Sequence, residues 1–280
     1  MGAITRLKDL RNGQQPKPAK GEEKEMSFLD HLEELRWHLI RAVVAIVIMA
    51  VVIFGNMQWI MEHIVLAPLE PDFWLNRLIN EFRGIETATQ VDMQAIKPAE
   101  QFLKALGISV IGGFIVTFPY VLWEIWIFIK PGLHKNERRG LRGNVFVMSF
   151  LFFLGISFAY YIITPFAMQF FANFKLYETI ENQWRIGDYI SMVTQIVMGG
   201  GLIFEMPILV FYLARMGVLT PQVMRAYRRH AIVVLLILAA IITPPDWITQ
   251  ILIFIPLTAL YEISILICAS VTRKREAELA

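Results

Sequence analysis

Two carboxylates stand where they could do chemistry with a cation. Glu34 lies in HLEELR, residues 31–36, with Asp30, Glu33 and Arg36 around it and His38 and Arg41 following. Glu137 is the sole acid among five bases in KPGLHKNERR, residues 130–139. A carboxylate can accept two parallel N–H bonds from one guanidinium, a fork that a lysine ammonium cannot match. If the two acids converge at one surface, each can take one arginine of a pair. Each also has a local alternative. Glu34 can pair with Arg36 or His38 on its own helix, and Glu137 with Lys135 or Arg138. Exposed pairs of that kind contribute about 0–1 kcal/mol. Spacing leaves both readings open.

Other chemistry finds little footing. His31, Glu34 and His38 share one helical face, but they are not a complete tetrahedral metal set. No HExxH motif occurs, and the absence of any Gly-Lys dipeptide removes the Walker pattern. Ser157, in GISF at 155–158, has no histidine at comparable depth to act as its base. No enzymatic activity, cofactor or metal is therefore expected. With a net charge of only +2, no nucleic-acid partner is expected either. Glu205 is a lone acid in the apolar stretch GGGLIFEMP, 199–207. A charge at such depth costs on the order of 2.5–3.5 kcal/mol. It should face the bundle interior or a water-filled dent. Either it bonds a neighbouring helix, or it offers a polar contact to the signal passing through the cavity, or to a partner's transmembrane helix. Partner contact is favoured, because Pro207 frees a backbone carbonyl beside it.

The elements that must position these residues are membrane helices. The chain is 56% hydrophobic and 18% charged, against roughly 45–50% and 25% in soluble domains. About 20 apolar residues cross a bilayer core. Six stretches meet or approach that length, at 37–54, 102–129, 144–171, 189–212, 227–242 and 247–269. The fold class is all-α integral membrane, with six transmembrane helices in the segment 27–270. Leu29, Leu32, Leu35, Leu39 and Val43 recur at steps of three and four, so the Glu34 segment runs unbroken into the first span. TPPD at 243–246 turns sharply, which makes the last two spans a short hairpin. Pro119, Pro165, Pro207 and Pro256 each remove a backbone donor and predict a curved, concave bundle. Gly155/Ala159 and Gly199–Gly201 allow helices to approach closely. Between the first two spans, Phe73, Trp74, Leu78, Ile79 and Phe82 form an apolar stripe beside Asn76, Arg77, Asn80 and Glu81, which predicts a helix in the interface or over the spans.

Twenty of the 26 lysines and arginines fall on the side of the N-terminus. That bias predicts both termini in the cytoplasm. Residues 1–26 read as a disordered cytoplasmic tail without a removable signal peptide, and 271–280 as a second cytoplasmic tail. The single cysteine, Cys268, rules out an internal disulfide.

From about Ser27 to Ser270 the chain resembles the TatC family, the multispan receptor subunits of the twin-arginine protein translocase. The marks are HLEELR (31–36), APL (67–69), WIFIKPGLHKNERR (126–139), FAYYIITP (158–165), FEMP (204–207), TPPDWITQ (243–250) and IPLTALYE (255–262), all in order. The resemblance implies a cup-shaped six-helix bundle in the bacterial inner membrane that binds signal peptides of folded export substrates. It implies that Glu34 and Glu137 recognise the paired arginines, supported by Arg36 and Phe128. It also implies functional roles for Pro68 and Asp246 in the external region, multimeric assembly with single-span TatA and TatB, and energy from the protonmotive force. Glu124 departs from the pattern, standing where many members carry glutamine, and the first external loop is somewhat long.

Overall fold

The computed structural model describes residues 28–83, 93–129, 141–174, 177, 183–242 and 247–279. The tail 1–26, Glu137 and Asp246 lie outside the described residues, as does the turn 243–246.

Helix α1, Phe28–Gly55, carries Glu34 and the first span on one unbroken axis. It stops where Asn56 turns back, its Nδ2 donating to the Val52 carbonyl at 2.8 Å. Helical turns at Met57–Ile60, Met61–Val65 and Ala67–Leu69 lead to α2, Trp74–Arg83. Helix α3, Glu100–Ile129, returns antiparallel to α1 and passes through Pro119 without a break. The third span is α4, Leu141–Phe158, and α5, Thr164–Asn173, joined by a π-helical turn at Ala159–Ile163. This wide turn takes up the donor missing at Pro165, and Thr164 Oγ1 donates to the Ala159 carbonyl at 2.9 Å. The fourth span is α6, Ile186–Ile203, and α7, Met206–Arg215. Its axis breaks at Phe204–Glu205, just before Pro207. A short α8, Pro221–Ala226, precedes α9, Arg228–Ile242, and α10, Trp247–Leu279.

Five helical spans among the described residues are long and apolar enough to cross a membrane. Helix α9 has 15 residues, about 22 Å at 1.5 Å per residue, less than the roughly 30 Å of a bilayer core. The fifth span is thus short, as expected. The helix carrying the sixth is longer than expected, because α10 continues to Leu279 through most of the stretch read as a tail. Side-chain amides brace α9 at two levels. Gln250 donates to the Leu236 carbonyl at 3.1 Å, and Gln195 to that of Ile241.

The core lies between α4–α5, α6, α9 and α10, around Ala159, Ile196, Ala239, Ile253 and Leu257. Glycine makes one seam of it possible. A Cβ on Gly155 would sit 2.5 Å from the Gly200 carbonyl oxygen, backbone against backbone. Helix α1 stands apart from this core. It packs along α3, and Leu39, Ile48 and Val51 are among many apolar side chains it leaves exposed, as a lipid-facing helix does.

Candidate functional site

Helices α1 and α3 run antiparallel, so the beginning of α1 and the end of α3 share one end of the bundle. Midway along their seam a Cβ on Gly113 would meet the Ile46 carbonyl oxygen at 2.7 Å. Phe54 and Phe102 pack edge to face across it at 6.1 Å, at the end opposite Glu34.

At the Glu34 end, Glu33, Glu34, Trp37, His38 and Arg41 line an open depression of about 470 Å³. Residues 34, 38 and 41 follow at steps of four and three, which puts them on one helical face. Neither local pairing of Glu34, with Arg36 or with His38, is made. Arg36 lies over the Trp37 ring, its guanidinium carbon 5.6 Å from the centroid. His38 Nδ1 is bonded to Glu124 Oε2 at 2.5 Å, across to α3. Among the described residues Glu34 makes no ion pair or side-chain hydrogen bond. It is half-buried at the edge of the depression.

Glu124 is the residue whose place spacing could not give. It is only 5% exposed, and both its oxygens are engaged. Tyr120, one turn earlier on α3, donates its hydroxyl to Oε1 at 2.6 Å, while His38 holds Oε2. A buried carboxylate without such partners would be costly. One signal pointed there. Glu124 is an acid near the end of an apolar span, at the depth where His38 enters the first span from the same side. Phe128, half-buried, lies one turn beyond it in the last turn of α3.

Pro68 is at the opposite end. It is buried in the cap formed by residues 57–83, and its carbonyl accepts from Asn76 Nδ2 at 2.9 Å. The same amide donates to the Glu70 carbonyl at 2.8 Å, and Gln169 Nε2 of α5 donates to Asn76 Oδ1 at 2.7 Å. Tyr189 and Tyr160 hydroxyls hold the carbonyls of Val65 and Ile64 from below. Asn76 was expected among the polar residues beside the stripe of α2. It is instead fully buried, and Trp74 and Leu78 of the apolar stripe are exposed. Its side chain is a clasp that satisfies a chain reversal.

Glu205 is apart from both ends, at the break between α6 and α7. It lies ten residues before Arg215, about 15 Å along the axis. Both carboxylate oxygens are shielded from solvent and have no hydrogen-bond partner among the described residues. Trp126 Nε1 of α3 and Ser149 Oγ of α4 are in the same condition. The described residues hold no group of three or more metal-binding side chains.

The structure therefore brings Glu34, Arg36 and Phe128 to one end, leaves Pro68 at the other, and sets Glu205 between. A family profile described as Sec-independent protein translocase protein (TatC) matches residues 30–256. The chain is 35% identical over 265 residues to the TatC protein of Blattabacterium sp. subsp. Periplaneta americana (strain BPLAN), spanning 91% of this chain and 100% of that one. It is 34% identical over 252 residues to that of Halalkalibacterium halodurans, spanning 90% and 92%. A crystal structure of the twin arginine translocase receptor TatC superposes with a TM-score of 0.69 at 32% identity, over 86% of this chain and 99% of that chain.

Proposed function

The chain belongs to the TatC family of Sec-independent protein translocase proteins, and from that premise we propose that it is the subunit that reads the arginine pair of export signals. It is a multi-pass membrane protein and a component of that translocase. In this reading Glu34 and Glu137 each accept one guanidinium, with Arg36 and Phe128 framing the site. The observation that carries it is the state of Glu34. Neither local partner, Arg36 or His38, pairs with it, and among the described residues no ion pair need break before the carboxylate accepts a guanidinium.

The apolar part of the signal then lies along or inside the concave face of the bundle. Glu205 contributes a polar contact to the transmembrane helix of a partner, TatA or TatB, in a multimeric complex. Pro68 and Asp246 support the external region. The protein catalyses no reaction and uses no cofactor, and export draws on the protonmotive force. Both termini face the cytoplasm from the inner membrane, in keeping with the lysine and arginine bias.

Crosslinking of a twin-arginine signal to the full chain in membranes tests the reading. Each charge-assisted hydrogen bond contributes about 1.5–3 kcal/mol. Glu34→Ala or Glu137→Ala should therefore weaken binding about tenfold or more, at 1.4 kcal/mol per decade. Reversal to lysine should be worse, and a Lys-Lys signal should bind poorly to the unaltered protein. Undiminished crosslinking in both reversal variants would refute the assignment.

A further inference from the structure

Helix α1 is the most lipid-exposed of the membrane-length helices, and α3 is its main neighbour. Two of its fixed points are the backbone approach at Gly113 and the Phe54–Phe102 ring contact. Both lie away from Glu34, the first at mid-span and the second at the opposite end. At the Glu34 end the one polar bond between α1 and α3, among the described residues, is His38 to Glu124. Its anchor is well held. Glu124 is buried, and its second oxygen is fixed by Tyr120 on its own helix.

We propose that His38 and Glu124 are positioning residues of the signal site: their bond sets the rotation of α1 and thereby the direction in which Glu34 presents its carboxylate. This rests on the arginine-pair reading above. His38 is one turn from Glu34 on the same face, so rotating α1 at His38 turns Glu34 by the same angle. Forked recognition of a guanidinium is sensitive to that angle, whereas an ammonium is a point charge and tolerates it. The acid at 124 gives the imidazole a charge-assisted partner. The glutamine of the resembling pattern would hold it less firmly. Glu33, Glu34 and Arg41 on α1 and Tyr120 on α3 are the other charged or titratable groups around the pair. Glu124 itself is not a third receptor for arginine, because both its oxygens are taken and it is 5% exposed.

The experiment measures affinity of the full chain for a twin-arginine signal and for its twin-lysine counterpart. His38→Ala and Glu124→Ala should each lower twin-arginine affinity about tenfold, with twin-lysine affinity changing less than about twofold, because only the fork depends on angle. The double variant should be no worse than either single one, as expected of two residues acting as one. The exchange His38→Glu with Glu124→His should regain most of the lost discrimination. Glu124→Gln, which keeps side-chain volume and the Tyr120 bond, should shift in the same direction by less. Parallel losses for both signals would mean the pair only holds the fold, and an exchange no better than the single variants would also overturn the proposal. Glu34→Ala in the same assay separates the two claims. If it leaves twin-arginine affinity intact, the underlying reading fails. If it weakens binding while the pair variants keep discrimination, only the positioning role fails.

Discussion

Three glycines on α3 make a graded test of how α1 is held. Nothing lies within 4 Å of where a Cβ on Gly107 would be. On Gly112 it would meet the Ile53 Cδ1 methyl at 2.9 Å, the movable end of a side chain. On Gly113 it would meet the Ile46 carbonyl oxygen at 2.7 Å and the Ala50 nitrogen at 2.9 Å, both backbone. Restoring an ordinary contact of 3.4 Å to the Ile46 oxygen needs α1 to retreat by about 0.7 Å, and no rotamer change can supply that. Overpacking of this kind costs about 1–3 kcal/mol. Alanine's better helix propensity returns about 0.5–1 kcal/mol at each site.

Gly107→Ala should therefore be neutral or slightly stabilising, and Gly112→Ala close to neutral. Gly113→Ala should lose about 0.5–2 kcal/mol net, roughly two- to thirtyfold in the folded ratio. Thermal unfolding of the three purified variants in one detergent ranks them. The retreat at Gly113 should also loosen the His38–Glu124 bond about three turns away along α3, so twin-arginine discrimination should fall with stability. If Gly113→Ala melts with Gly107→Ala, the seam is not the tight backbone contact described.

At the cap, Asn76→Ala leaves the Pro68 and Glu70 carbonyls and the Gln169 amide without partners, at about 1–3 kcal/mol for each group that stays buried. Protease cleavage within 57–83 should rise, and Asn76→Asp should be worse because it sets an acceptor against two carbonyls. At the span break, Glu205→Gln should be mild, while Glu205→Ala should reduce transport and leave signal binding intact. Photo-crosslinkers at 205 should reach a single-span partner, and contact with lipid alone together with normal transport in Glu205→Ala would remove that role.

Much of this arrangement is legible in the sequence because membrane helices declare themselves by length and apolarity. The six stretches, the Glu34 helix entering the first span and the helix at α2 follow from periodicity. The glycine seam follows from small residues at matched spacing. Bends were legible only as bends. Pro165 and Pro207 look alike in sequence, yet one is absorbed by a π turn and the other follows a break. Position in the fold matters too: Pro165 leaves the Tyr161 carbonyl without its i+4 donor, and Trp74 Nε1, 87 residues away, donates to it at 3.1 Å. Asn76 illustrates a different limit. A polar residue on an amphipathic helix is assigned to water, and only a chain reversal with unpaired carbonyls draws it inward. The partner of His38 was hidden for the simplest reason. It is 86 residues away, and the pairings visible on one helix, Glu34 with Arg36 or with His38, are not made.

The buried polar atoms at Glu205 also bear on how a partner is chosen. Native structures leave few buried polar groups unpaired, and in a membrane interior no water can compensate them. A partner helix bringing one polar group would relieve that cost. Yet interhelical hydrogen bonds in membranes average only about 0.6 kcal/mol, less than threefold in affinity at 1.4 kcal/mol per decade. A contact that weak cannot hold a single-span helix against the bundle. The exposed apolar surface of the spans must supply the adhesion. In the proposed partner contact, what Glu205 would add is discrimination. A helix with a polar group at the matching depth satisfies the carboxylate, while a wholly apolar one seals it off unpaired and incurs the larger penalty, about 1–3 kcal/mol, of a group left unsatisfied. In the proposed contact, the residue would therefore select its partner by what a wrong partner would bury.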